Sequence, residues 1–449
     1  MASVTDTFVL DGSYRRHDRV VIGGSPLRLF RLSAGGRRVV EAIEQRRPAP
    51  AGHTKLTNRL VDAGAIHPTP TDSPFTTADV TVVVPAYDAW PRASHHGGVT
   101  IVVDDGSEPP LASMPDQRTL RLPSNRGPAA ARNAGLAEVT TPLVAFVDTD
   151  VELDDHWLDA LLPHFSDPRV ALVAPRVRSA KGPTLIARYE STRSPLDLGS
   201  EPAGVAAGSR VSYVPAAAVI ARTDVLRRMG GFDEAMRSGE DVDLVWRLLE
   251  AGHRCRYEPA STVHHRPRPT FVAWVRQRMS YGRSAAMLDR KHPGAVAPLR
   301  MSGWSAAVWA MVLARRPVSA AALAAGTTIA LRRKLHDLPA QETLRLAGLG
   351  HLFAGRQVAA TITRAWWPVA LVLAVVLRRT RSIVLAAATV PPLLDWAAGR
   401  TSLGPVRYVA LRVADDVAYG AGLWAGVIEH RRIGALTPKF TNWPGRGVG

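Results

Sequence analysis

At 449 residues the chain has room for two or three domains, and 46% hydrophobic with 21% charged residues excludes a disordered polymer. Fifty-six Lys and Arg against 39 Asp and Glu leave a net charge of +17, which favours phosphorylated substrates, a phospholipid surface or nucleic acid as partners. No zinc-finger spacing and no aromatic-plus-basic RNA-binding pattern is present, so nucleic acid is set aside. The excess of arginine beside much Ala, Gly and Pro also fits a GC-rich genome. Cys255 is the only cysteine, so no intrachain disulfide forms and a reducing compartment is the default. Met1 to Leu10 lacks a charged leader followed by an apolar stretch, and a cytoplasmic setting is expected.

In chain order, residues 1–74 open with two strands, Thr7–Leu10 and Arg19–Ile22, and the turn Gly23-Gly24. Helical stretches follow at Ala34–Gln45 and Lys55–Ala63, with Ser33 and Thr54 as capping residues. Pro68 to Pro74 has the composition of a linker. Residues 75–297 alternate β-branched runs with helical stretches. Val80–Val84, Val99–Val103, Leu143–Val147 and Val170–Ala174 read as strands; Gly127–Glu138 and Trp157–Phe165 read as helices. The alternation predicts βαβ units and a mostly parallel sheet, with a first crossover cramped by Pro91 and Gly97-Gly98.

Acidic clusters mark this region. Asp104-Asp105-Gly106-Ser107 follows the second strand, where carboxylates face the ligand crevice of an α/β sheet and can accept hydrogen bonds from a base or ribose. The same tetrapeptide is also good turn chemistry. Asn125-Arg126-Gly127-Pro128 enters a helix whose free N–H groups suit a phosphate, and Arg126 and Arg132 add fixed positive charge, unless they belong to a solvated face. Asp148-Thr149-Asp150 follows a buried strand; alternate residues of an extended segment point the same way, so both carboxylates can reach one hard divalent cation. Gly239-Glu240-Asp241 starts an amphipathic helix, where the carboxylates serve either as dipole partners or as a general base.

Residues 298–449 carry apolar runs at Trp304–Ala314, Pro317–Leu331, Ala365–Leu377 and Ser382–Trp396. None reaches the roughly 20 residues a spanning helix needs. Arg315-Arg316 and Arg378-Arg379-Thr380-Arg381 divide them. Either a bundle of buried helices or a set of interfacial helices against an anionic leaflet fits this pattern, and association is expected rather than spanning.

In their shared order and spacing, Val84-Pro85-Ala86-Tyr87-Asp88, Asp104 to Ser107, Asn125-Arg126-Gly127 with Ala131-Arg132-Asn133, Asp148-Thr149-Asp150 and Gly239-Glu240-Asp241 resemble the family 2 glycosyltransferases of the GT-A fold. The resemblance implies a nucleotide-sugar donor and a Mn²⁺ or Mg²⁺ ion. It implies donor contacts from Pro85, Tyr87, Asn125, Arg126, Arg132 and Thr149, with Asp104 and Asp105 on the nucleoside. Asp148 and Asp150 would hold the metal–diphosphate, His264 would complete that site with neighbouring His265 an open alternative, and Asp241 would deprotonate the acceptor in a single inverting displacement. Two departures are Asp88, where the family commonly carries Asn, and the short first crossover.

Further stretches are similar to the glycosyltransferases of the mycofactocin system. These are Gly23 to Leu29 with Arg31-Leu32-Ser33, Leu60 to Gly64, Tyr213-Val214-Pro215-Ala216-Ala217, and Arg276 to Gly282. The head is similar to peptide-binding modules of peptide-derived cofactor pathways. This implies UDP-glucose as donor and a peptide-derived redox cofactor precursor as acceptor, extended with β-linked glucose. A cell-envelope enzyme acting on a polyprenyl-linked sugar is the alternative. A non-catalytic peptide-docking protein is a lesser one. A cytoplasmic protein, peripheral at the inner face of the plasma membrane, is expected. The expected fold is α/β: a winged-helix-like domain with linker over 1–74, a GT-A domain over 75–297 and a helical, Arg/Ala-rich region over 298–449.

Overall fold

The computed structural model describes residues 7–50, 52–90, 98–112, 117–399 and 401–441. Pro91 and Gly97 of the first crossover lie outside the described residues. The chain forms two compact units, one of residues 1–182 and 193–267, the other of residues 183–192 and 268–449.

The first unit opens with a head. Strand β1 (Phe8–Leu10) is followed by an antiparallel meander of β2 (Arg15–His17), β3 (Val20–Gly23) and β4 (Arg28–Arg31), then α1 (Ala34–Glu44), α2 (Thr54–Asp62) and β5 (Ile66–Pro68), which pairs with β1. Ser33 caps α1 by accepting from the Gly36 N–H. Thr54 does not cap α2: it is the first helical residue, and His53 precedes it without a side-chain cap bond. Val21, Val39, Ile43, Leu60 and Ile66 form the head's own core. The head docks on the rest of the unit through arginines: Arg254 pairs with Asp62, and Arg169 donates to Asn58 at 2.6 Å.

Behind the head lies a nine-stranded sheet, comprising β6 (Val80–Ala86), β7 (Thr100–Asp104), β8 (Arg118–Arg121), β9 (Leu143–Val147), β10 (Val151–Glu152), β11 (Val170–Ser179), β12 (Ala203–Gly204), β13 (Ala218–Arg222) and β14 (Arg254–His265). Strands β8, β7, β6 and β9 run parallel, as the alternating sequence predicts. The rest departs from it: β13 lies antiparallel between β9 and β11, and β10 and β12 pair antiparallel with β14. The sheet is therefore mixed. The expected helix over Trp157–Phe165 is instead a series of turns closing in a 3₁₀ segment, Leu162–Ser166. Pro163 has no N–H and disfavours the α region for Leu162, so the helical spacing of Trp157, Leu158, Leu161 and Phe165 reports burial under the sheet rather than an α-helix. Helix α3 (Pro128–Glu138) packs tightly on β6, because a Cβ on Gly135 would collide with Val83.

The second unit holds most of α4 (Leu185–Arg193), and, after α5 (Thr223–Arg228) and α6 (Glu240–Glu250) of the first unit, the long α7 (Phe271–Lys291). Strand β15 (Arg300–Ser302) precedes α8 (Gly303–Leu313), α9 (Pro317–Lys334), α10 (Ala340–Ala360), α11 (Trp367–Val376), α12 (Arg378–Ala398) and α13 (Pro405–His430); β16 (Lys439–Thr441) closes on β15. Helices α8, α9, α11 and α12 sit on the four apolar runs, broken at the expected arginines. No single helix is long and apolar enough to cross a membrane.

Two devices hold α7 in this unit. Arg278 is buried and pairs with Glu190 and with Asp415, whose other oxygen accepts from Tyr189 Oη at 3.0 Å. On the face toward α13, a Cβ on Gly422 would strike the carbonyl of Met279, and one on Gly426 that of Arg283. Gly422→Val should therefore force the helices apart and cost about 1–3 kcal/mol, the usual range for overpacking. Urea unfolding would measure this, and an unchanged midpoint would show that the close approach is not needed.

Candidate active site

The crevice at the carboxyl ends of the parallel strands is organised first by Asp104 and Asp105. Asp104, at the end of β7, accepts from the Ser107 N–H at 2.8 Å and the Leu111 N–H at 3.2 Å, with Arg121 at 3.7 Å. Burial pushes its pKa up, but the Ser107 hydrogen bonds and the others outweigh this, and it lies below the ordinary carboxylate value. Asp105 accepts from the Arg126 and Gly127 N–H groups at 2.8 and 2.7 Å. Both carboxylates thus hold the loops that follow β7 and precede α3. Gly127, at φ +98°, turns the chain into α3 with Pro128 at the first helical position. Arg126 and Asn125 point outward, the first paired with Glu234 at 2.6 Å and the second with Arg237 at 3.1 Å. Pro85 is half-buried and Tyr87 exposed at the end of β6, where the Asp88 N–H donates to Ser107 Oγ at 2.9 Å.

Arg132 is the hub. Its guanidinium is buried, donates to Asp148 and to Glu240 at 2.7 Å each, and lies 5.3 Å over the Phe232 ring. Burial opposes its charge, but the two carboxylates hold it more firmly protonated than usual. The sequence motif assigns Arg132 to the donor diphosphate; in the fold both of its terminal nitrogens join two protein carboxylates.

Asp148, Thr149 and Asp150 are half-buried and form a turn rather than an extended segment, closed by the Val151 N–H on the Asp148 carbonyl at 3.1 Å. The alternation argument therefore does not describe them. Asp148 faces Arg132, whereas Asp150 stands 3.3 Å from His265 Nε2. Burial raises the Asp148 pKa against the pull of Arg132, and the Asp150 charge raises it further. His264 is exposed and His265 buried, as adjacent residues of β14 must face opposite ways. Pairing of Val151 with His265 carries the buried histidine to the acidic turn. Among the described residues, no three His, Cys, Asp or Glu side chains converge closely enough to hold an ion by themselves.

Helix α6 supplies the remaining acids. Gly239, left-handed at φ +80°, starts it, and Glu240, Asp241 and Asp243 fill its first turn. Asp243 is fully buried against Arg247 at 2.7 Å and serves the helix. Asp241 instead accepts from the Ala216 N–H at 3.2 Å and from the Val242 N–H at 2.8 Å. Burial, and then the neighbouring Glu240 charge, push its carboxyl up to about 7. The Ala217 carbonyl accepts from the Asp148 N–H at 2.9 Å. Adjacent residues of one short loop thus tie Asp241 and Asp148 into one frame. Their role is carried by backbone atoms, which the sequence does not advertise.

A mixed α/β sheet with an acidic turn after β9 and further carboxylates at the start of α6 has the arrangement of a GT-A glycosyltransferase. Residues 100–226 match the family described as Glycosyl transferase family 2. Over 446 residues the chain is 42% identical to the pre-mycofactocin glycosyltransferase of Mycobacterium tuberculosis, covering 94% of each chain. It belongs to that family, and it is a glycosyltransferase. It is also 31% identical over 210 residues to the succinoglycan biosynthesis protein ExoO of Rhizobium meliloti, covering 42% of this chain and 60% of that one. Among solved structures, it is similar to a mannosyltransferase from Pyrobaculum calidifontis in complex with GDP-Man and Mn²⁺, at TM-score 0.34 and 20% identity, covering 61% of this chain and 87% of that one.

Proposed function

We propose that this enzyme transfers glucose from UDP-glucose, by a single inverting displacement, onto a peptide-derived redox cofactor precursor of the mycofactocin type, forming a β linkage. The observation that carries the chemistry is Asp241: a carboxylate with a pKa near 7, tied to the loop that also positions the acidic turn. Such a group can take a proton from an acceptor hydroxyl at neutral pH. The name of the Mycobacterium tuberculosis relative supports the acceptor, and the compact head, with its own core, is assigned to recognising it.

A divalent ion fits the donor set around Asp150. Asp148 and Asp150 offer hard oxygens, and His265, rather than His264, offers nitrogen beside Asp150. Among the described residues these side chains do not close a site by themselves, so diphosphate oxygens would complete the ion's shell, as an ion shared with its substrate requires. Bound there, Mn²⁺ or Mg²⁺ would neutralise charge on the departing diphosphate. Arg132 fixes the Asp148 carboxylate, Asp105 fixes the loop at Arg126 and Gly127, and the crevice walls formed by Pro85, Tyr87 and the Asp104 turn take the nucleoside. Thr149, between the two aspartates of the turn, is assigned to the donor as well. We place the enzyme at an anionic membrane surface, which its basic, apolar helical unit suits.

Donor turnover should cease in excess chelator and in Asp150→Ala, with the variant folded, because that carboxylate serves the ion more than the core. Retained turnover in chelator would sink the metal assignment. Activity on the peptide-derived acceptor, with none on a polyprenyl-linked sugar, is expected in the same assay; the reverse preference would replace this acceptor with the envelope one.

A further inference from the structure

Most of the exposed large apolar side chains among the described residues lie after residue 300. They gather most clearly at two helix corners. At the first, α8 ends in Val312 and Leu313, Arg315-Arg316 makes the break, and α9 begins with Val318, which is 81% exposed. At the second, α11 ends in Val375 and Val376, 68% and 69% exposed, and Leu377 leads into Arg378-Arg379-Thr380-Arg381 of α12. The corners are joined: Arg315 donates to the Arg379 carbonyl and to Ser382 Oγ, both at 2.8 Å. Arg381 Nε donates to the Ala374 carbonyl at 2.9 Å and Thr380 to Leu373 at 2.7 Å, so the α11 end is capped from the basic side.

The result is one tip with an apolar point and a basic collar. Val312, Leu313, Val318, Val375, Val376 and Leu377 form the point, and Arg315, Arg316, Arg378, Arg379 and Arg381 the collar. Between residues 303 and 394 the sequence holds only two acidic residues, Asp337 and Glu342, so nothing in either corner offsets that charge. Water is a poor solvent for such a point, and neutral protein surface is a poor partner for such a collar. An acidic bilayer satisfies both at once, hydrocarbon for the valines and lipid phosphates for the guanidiniums. Among the described residues no single helix is both long and apolar enough to cross, and the helix pair that meets this test only together is bent by 89° where α11 begins, which suits a corner entering the leaflet better than a straight span.

We propose that this double corner is the element that inserts into an anionic leaflet. The proposal rests on the membrane placement made above, and names the segment responsible. The test is cosedimentation of the full chain with vesicles of phosphatidylcholine alone or with about 30 mol% phosphatidylglycerol. Compared are wild type, Arg316→Gln/Arg378→Gln/Arg379→Gln, and Val375→Ser/Val376→Ser. Wild type should bind the acidic vesicles and be released by salt. Each arginine near such a surface contributes about fivefold, so the triple variant should bind about a hundredfold more weakly. The serine variant should also lose binding, and both should keep wild-type transfer to a water-soluble acceptor. If wild type binds but the variants bind equally well, the tip is wrong and the membrane placement stands. If wild type ignores every vesicle, or self-associates through the valines instead, both fall, while the glycosyltransferase chemistry is untouched.

Discussion

Asp241→Asn is expected to lower sugar transfer by about 10²- to 10⁴-fold, the usual contribution of a general base, while UDP affinity stays at the wild-type value. The base acts on the acceptor hydroxyl only as the new bond forms, so its loss falls on turnover. Glu240→Gln should cost less, since Glu240 faces Arg132 rather than the Ala216 loop. Stability gives a second, opposite reading. The Asp241 carboxyl titrates near 7 in the folded chain against an ordinary 3.8. The folded state therefore holds its proton more tightly than the unfolded chain. What this group contributes to stability is complete below pH 3.8 and is lost as pH rises through about 7. Asparagine cannot ionise, so Asp241→Asn should melt higher than wild type at about pH 8, and the two should converge only below about pH 3.8. Wild-type transfer should rise as pH passes about 7, where the base becomes free. Were both carboxylates there only to stabilise the start of α6, the variant would melt lower and turn over normally.

Arg132→Met should have the largest structural effect. It strands two carboxylates, Asp148 and Glu240, in a buried site, and removal of one partner from such an arrangement typically costs about 3–5 kcal/mol. Adding Glu240→Gln to Arg132→Met should restore part of the lost stability, because one stranded charge is then gone. It should not restore transfer, since Asp148 remains unheld. If the single variant unfolds at the wild-type denaturant concentration, Arg132 is not the hub described; if it keeps stability and loses only UDP binding, it touches the diphosphate directly.

Much of this was legible in the sequence, for reasons particular residues make plain. The four apolar runs beginning at Val80, Val99, Leu143 and Val170 mark sheet strands because they are short, rich in valine and bounded by turn residues, as strands covered on both faces are. The acidic motifs stand where those strands end, and the arginine pairs break the tail helices where expected. What escaped depended on partners distant in the chain. Strand β13 carries only Ala-Val-Ile-Ala-Arg, and its antiparallel place between β9 and β11 is a matter of topology. That His265 rather than His264 stands beside Asp150 follows from which face of β14 meets the acidic turn, a register no local pattern sets. The stretch Tyr213 to Ala217 stood out in the sequence, but its contacts with Asp241 and Asp148 run through backbone groups, so its residues do not show what it touches.

The configuration of the new glycosidic bond tests the central claim most directly. Supplied with UDP-glucose, whose glucose is α-linked, and the peptide-derived acceptor, the enzyme should yield a product whose anomeric proton coupling is that of a β-glucoside. In the proposed mechanism one direct displacement, with Asp241 as the base, would invert that centre. An α-glucoside would mean two displacements or a front-face path, and would contradict the assignment of Asp241 as the base of an inverting reaction.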